Sequence, residues 1–211
     1  CPELVDAPEM PLKSVKDAVQ TMIDIIVSME TQDHVSLETF AQYGYHEVNL
    51  QTATSESELY AALAEIPATL NQRQAGHYTS ITNIGAGVQK GIDELTSSRG
   101  RTSAAKVLIV LTDGKPNTNS SGSHVGNDAP EAVNWALDQA DEAKDMGITV
   151  YTIGVGGDVN ASLCEDMASE PEFYFYADSN PDPVTGQPMY VSQLQDIFET
   201  LGTKRPVRLI Q

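Results

Sequence analysis

The most restrictive feature of the chain is the stretch KVLIVLTDGKPNT, Lys106 to Thr118, where uncharged, mostly aliphatic residues run straight into an aspartate, a glycine and a polar loop bearing a proline. A run this short, rich in Val, Ile and Leu and bounded by polar residues, has the form of a strand buried on both faces, as inside a parallel sheet. A second fully apolar run, ITVYTIGVGG, follows the helix-patterned APEAVNWALDQADEAKDM. Asp113 would then stand at the carboxyl end of the first strand. In open α/β sheets this is the edge where crossover loops open and ligands bind.

The rest of the chain extends the alternation. PLKSVKDAVQTMIDIIVSM puts Leu12, Val15, Val19, Met22, Ile23 and Ile26 on one stripe at helical spacing. VSLETFAQY reads as a strand, and after Gly44 and Tyr45 the piece HEVNLQ follows; so short a link permits only an antiparallel neighbour. SESELYAALAEI reads as a short helix capped by Ser55 or Ser57, followed by the polar stretch PATLNQRQAGHYTS. A helix begins just after Thr82 with NIGAGVQKGIDELTSS, and beyond the apolar strand NTNSSGSHVGND has the composition of a flexible loop. NASLCEDMAS, EFYFYAD and VSQLQDIFETLG complete the order as helix, aromatic strand and amphipathic helix. The expected fold class is α/β: a doubly wound, mostly parallel sheet with one antiparallel edge strand and helices on both faces. The 211 residues suit a single domain. The first helix arrives with its apolar stripe complete, while this fold places a central strand before it; that strand is expected upstream.

Acidic residues outnumber basic ones 30 to 12, giving a formal net charge of -18 that repels phosphate backbones and anionic lipid surfaces. Nucleic acid is therefore not an expected partner. No apolar segment approaches the roughly 20 residues needed to span a bilayer, so the chain is expected not to insert in a membrane by itself. Cys1 and Cys164 leave open a disulfide or two unrelated thiols, since their separation in sequence says nothing of their separation in space.

Two oxygen donors are expected on one edge of the sheet: Asp113, and Thr82 in TSITNIGAGV, the loop leading into the preceding helix. A hydroxyl and a carboxylate converging there suit a hard cation such as Mg²⁺, which takes near-octahedral oxygen ligation. Each also has a plainer role, Thr82 as a helix cap and Asp113 as half of an Asp-Gly turn. TSITNIGAGVQKGI and VLIVLTDGKPNT resemble the second and third pieces of the metal-ion-dependent adhesion site of von Willebrand factor A-type domains, DHVSLETFAQYG resembles that family's second strand, and ITVYTIGVGG its strand after the metal site. The resemblance covers nearly the whole chain and implies a non-enzymatic module that binds protein ligands through Mg²⁺, Mn²⁺ or Ca²⁺, an acidic side chain of the partner completing the coordination. It implies Thr82 and Asp113 as metal ligands, the aspartate often acting through a water. The family's first piece, a D-x-S-x-S loop after the first strand, is not in this sequence; it would supply a carboxylate and two hydroxyls, and its expected place is on the upstream strand. IFETLGTKRPVRLIQ resembles the carboxyl end of bacterial A-type domains of tight-adherence pilus assembly, which implies an extracytoplasmic place, in the cell envelope or secreted, with neighbouring subunits of a surface assembly as further partners.

Other chemistries find less support. DSNPDPVTG opens like a calcium loop with Asp178, Asn180 and Asp182, yet Pro183 stands where the sharp-turn glycine belongs and Met189 where the bidentate glutamate belongs. GAGVQKG lacks the G-x-G-x-x-G spacing, and no phosphate-binding loop is present. An aspartate-nucleophile phosphatase needs a second acid two residues after Asp113, where Lys115 stands. His34, His46, His77 and His124 show no ligand spacing and read as surface or turn residues, and Trp135 as packing. A metal-free A-type domain packing within a surface filament is the main alternative, and a phosphorylated regulatory domain or enzyme the more distant one.

Overall fold

A computed structural model describes residues 11–74 and 77–203. The elements run α1 Leu12–Ser28, β1 Leu37–Phe40, β2 Gly44–Val48, α2 Glu56–Leu63, α3 Glu65–Asn71, α4 Ile84–Thr96, β3 Val107–Thr112, α5 Pro130–Asp145, β4 Thr149–Val155, α6 Ala161–Met167, β5 Tyr174–Ala177 and α7 Tyr190–Thr203. The α/β alternation expected from the sequence is present. β3, β4 and β5 form a parallel sheet in that order, with Val107 opposite Thr149 and Thr152 opposite Tyr174. β1 and β2 form the antiparallel hairpin that the short link demanded.

Side-chain alternation along β3 divides the interior into two cores. Ile109 and Leu111 pack toward α1, α2, α3 and α7, around Ile153, Leu63 and Leu194. Leu108 and Val110 pack toward α4, α5 and α6, around Ile84, Ile92 and Val150. A strand dressed with apolar side chains on both faces belongs between two helix layers, which is the doubly wound arrangement.

Three local readings change. PATLNQRQ, expected as a polar connection, carries most of α3, because Ile66, Pro67 and Leu70 fall on one helical face and bury it. The helix cap beside Thr82 is Asn83, whose Oδ1 accepts from the Ala86 amide at 3.1 Å. The loop after Asp113 is pinned rather than loose: Asn119 Oδ1 accepts from the amides of Ser121 and Ser123, and Thr118 bridges His124.

The sheet is also divided. Among the described residues β1 pairs only with β2, and β3 only with β4. Between the facing edges of β1 and β3 lies a slot of about 1110 Å³, walled by Val15, Val19, Met22 and Phe198 on one side and by Gly87, Val88, Gly91 and Leu95 on the other. Cys164 is buried, with its thiol pushed up to about 11 by that burial; Cys1 lies outside the described residues. No helix among the described residues is long and apolar enough to cross a membrane.

Candidate functional site

The carboxyl rim of β3 collects the residues singled out in the sequence. Asp113 follows the last residue of β3 and is exposed. Thr82 stands two residues before α4 begins. The two are on the same rim: a Cβ built on Gly114, the neighbour of Asp113, would lie 3.3 Å from the Thr82 hydroxyl oxygen. Both residues line the end of the slot between β1 and β3.

The segment carrying Thr82 is held from three directions, and the sequence reading missed every one of the groups that do it. Asn117, buried on the loop after β3, accepts the Thr82 amide on Oδ1 at 2.8 Å, while its own amide donates to the Thr82 carbonyl at 3.0 Å. This exchange clamps the Thr82 backbone to the loop beginning at Asp113. Asn83 is 1 % exposed and works in several directions at once. Its amide donates to the Ala41 carbonyl at 2.8 Å, and its Nδ2 donates to the carbonyls of Gln42 at 2.8 Å and Asn119 at 3.3 Å. Its Oδ1 accepts from Ala86 and also from the Trp135 indole at 3.1 Å. One amide side chain thus joins the hairpin turn, the loop after β3, α4 and α5. Trp135 does pack as expected, and the indole is why position 85 is glycine: a Cβ there would come within 2.4 Å of the ring.

The third support is Glu47 on β2. It accepts from Arg73 Nε at 3.0 Å, from the Tyr78 hydroxyl at 2.7 Å and from the Thr39 hydroxyl at 2.8 Å, while Tyr45 stacks on Tyr78 with ring centroids 3.6 Å apart. Arg73 and Tyr78 flank the connection that ends at Thr82, so this cluster fastens that connection to the hairpin. The Arg73 guanidinium, helped by the two hydroxyls, lowers the Glu47 carboxyl to about 2 against the cost of its burial. A depressed carboxylate stabilises the fold above its unfolded value near 4.5 and loses that contribution as pH falls toward 2. Replacing Glu47 by Gln is expected to cost about 2–3 kcal/mol at pH 7, because Arg73 is left with a weaker neutral acceptor. The difference from wild type should shrink below pH 4, which urea unfolding at pH 7 and pH 3 would measure.

The other residues considered have local work. Asp178 accepts from Asn180, and Asp182 accepts from the amides of Val184 and Thr185, so these carboxylates close turns. His46 lies on Glu38, its cross-strand partner, at 2.7 Å. Among the described residues no group of three or more His, Cys, Asp and Glu side chains could hold a metal. Thr82 and Asp113 are oxygen donors of the kind a hard cation takes, and they are two where such an ion wants six. They fit part of a coordination sphere.

Comparison with known proteins gives the site a setting. The chain is 26 % identical over 169 residues to the transmembrane cell adhesion receptor mua-3 of Caenorhabditis elegans, covering 78 % of this chain and 4 % of that receptor. The fold is shared with proximal thread matrix protein 1 of the mussel byssus, solved with a zinc-occupied MIDAS motif, at 18 % identity and a TM-score of 0.55 over 87 % of this chain and 39 % of that one. It is shared also with the pilus adhesin SpaC of Lactobacillus rhamnosus GG in its open conformation, at 17 % identity and a TM-score of 0.65 over 90 % of this chain and 27 % of that one. A match to the von Willebrand factor type A domain extends over residues 7–187, and the chain belongs to that family.

Proposed function

We propose that this chain is an adhesion or surface-assembly module that captures a protein ligand through a divalent cation, Mg²⁺ or a similar hard ion, held in part by Thr82 and Asp113. The observation that carries the reading is the placement of the Thr82 hydroxyl beside Gly114 on the rim where Asp113 ends β3, with Asn117 clamping the two segments together. A cation there would draw an acidic side chain of the partner as a further ligand, and the net charge of -18 makes such a partner hard to hold without the ion. Residues 1–211 are read as one domain of the family, in which Thr82 and Asp113 supply part of the oxygen ligands. The relatives named for adhesion support the reading, as does the zinc in the mussel protein, and they also support a place outside the cytoplasm.

The reading is tested by titrating Mn²⁺ into the full-length protein by calorimetry. Saturable binding is expected, weakened by about tenfold or more, some 1.4 kcal/mol, in Asp113→Ala and Thr82→Ala. Absence of saturable binding would replace this reading with a metal-free structural module.

A further inference from the structure

We infer that Lys115, held on the rim by Asp128, pairs with a second acidic side chain of the protein ligand, so that the module selects segments bearing two neighbouring acids. The inference rests on the reading above and deepens it by naming the class of partner.

Position comes first. Lys115 stands two residues after Asp113, between the two points at which this loop meets the Thr82 segment. On one side is Gly114, where an added Cβ would lie 3.3 Å from the Thr82 hydroxyl oxygen. On the other is Asn117, which exchanges two hydrogen bonds with the Thr82 backbone. The Lys115 backbone is thereby fixed beside both oxygen donors.

Its side chain is placed by Asp128. That residue holds a left-handed backbone at φ 55°, which residues other than glycine seldom adopt and aspartate tolerates better than most. Contacts in two directions keep it there. The Asp128 amide donates to the Pro116 carbonyl at 2.8 Å, and Oδ1 accepts from Asn160 Nδ2 at 2.8 Å, while Asn160 Oδ1 caps α6 through the Leu163 amide at 3.0 Å. Asp128 thus ties the loop after β3 to the loop after β4, and its Oδ2 faces Lys115. The Lys115 Nζ lies 3.6 Å away, an ion pair too long for a hydrogen bond, and the side chain is 35 % exposed. The ammonium is oriented without its donors being spent. The other cations near this end are engaged: Lys13 pairs with Asp17, Lys16 donates to the Arg73 carbonyl, and Arg73 is held by Glu47.

Charge decides what the group is for. A positive charge beside a cation site opposes the metal, so Lys115 suits what lands on the metal rather than the metal itself. With a formal net charge of -18, the chain repels an acidic ligand wherever no local cation offsets the repulsion. One divalent ion takes the first carboxylate. A second carboxylate on the same segment needs a cation of its own, and an exposed lysine ammonium supplies a compact point charge for it.

The test uses the full-length protein and peptides selected on it from a displayed random library in Mn²⁺ and released by EDTA. Recovered peptides should carry two acids close together. Changing the second acid, the one not needed for release by EDTA, to its amide should weaken binding to wild type by about tenfold and binding to Lys115→Gln by less than about twofold. In the same samples Lys115→Gln should bind Mn²⁺ as tightly as wild type or more tightly, because a positive charge has left the site. A residue that merely held two loops together would not weaken peptide binding and spare the metal. Peptides bearing a single acid, or equal losses on the two proteins, overturn the proposal, and so does the absence of any peptide released by EDTA. Calorimetry with Mn²⁺ keeps the two readings apart: saturable binding alongside any of these results defeats only the assignment of Lys115, whereas no saturable binding defeats the cation reading as well.

Discussion

Replacing Asn83 by alanine is expected to lower the unfolding free energy by about 3 kcal/mol or more, a large effect for one polar side chain. The cap on α4 accounts for about 1 kcal/mol. The remainder comes from groups left without their partner inside the fold: the Trp135 indole N–H and the carbonyls of Gln42 and Asn119 each lose a bond that Asn83 supplies. Each buried polar group so stranded costs about 1–3 kcal/mol where water cannot replace the bond. For a chain of this length the midpoint of thermal unfolding should fall by roughly 6–12 °C. Asn83→Asp separates the contributions: it keeps the cap acceptor for Ala86 and Trp135 but sets a buried carboxylate oxygen against the Gln42 and Asn119 carbonyls, so it should be no more stable than alanine at pH 7. Equal stability of Asn83→Ala and wild type would mean that the junction of hairpin, α4 and α5 does not depend on this side chain.

Leu194→Ala should have the largest effect of any single core truncation in α7. The side chain is 0 % exposed and is enclosed by the core of α1, α2, α3 and α7. Truncation at so closed a position leaves a cavity its neighbours cannot collapse into, and about 3–5 kcal/mol is expected from chemical denaturation. Val15, on the first helix, makes the contrast. It packs at the margin of the same core and opens onto the slot, so Val15→Ala should cost less than about 1 kcal/mol in the 211-residue chain.

How far the sequence could be read depended on whether a signal was local. The period of α1, the double-sided apolar run of β3 and the short link that makes β1 and β2 antiparallel are each properties of adjacent residues; all three survive in the structure, though Gly44 and Tyr45 belong to β2 and the turn is formed by Ala41, Gln42 and Tyr43. Asn83 ahead of the glycine-bearing α4 was legible as a cap, since asparagine before a helix is a favoured capping residue. Its further bonds to Gln42, Asn119 and Trp135 join segments that only the folded chain brings together. The same holds for Asn117, which reads as an ordinary loop residue until Thr82 is placed opposite it. Glu47 reads as one polar residue of a hairpin until Arg73 and Tyr78 arrive from beyond α3.

Residue pattern alone thus determined the class of fold, the order of its elements and the rim on which Asp113 would stand, because hydrophobic period and turn chemistry act over a few residues at a time. Tertiary structure decided how closely the Thr82 hydroxyl approaches Gly114 on that rim, which polar side chains clamp it there, and that the sheet opens into a slot between β1 and β3. These depend on contacts between segments remote in the chain, whose pairing is set by how two helix layers close over a shared sheet.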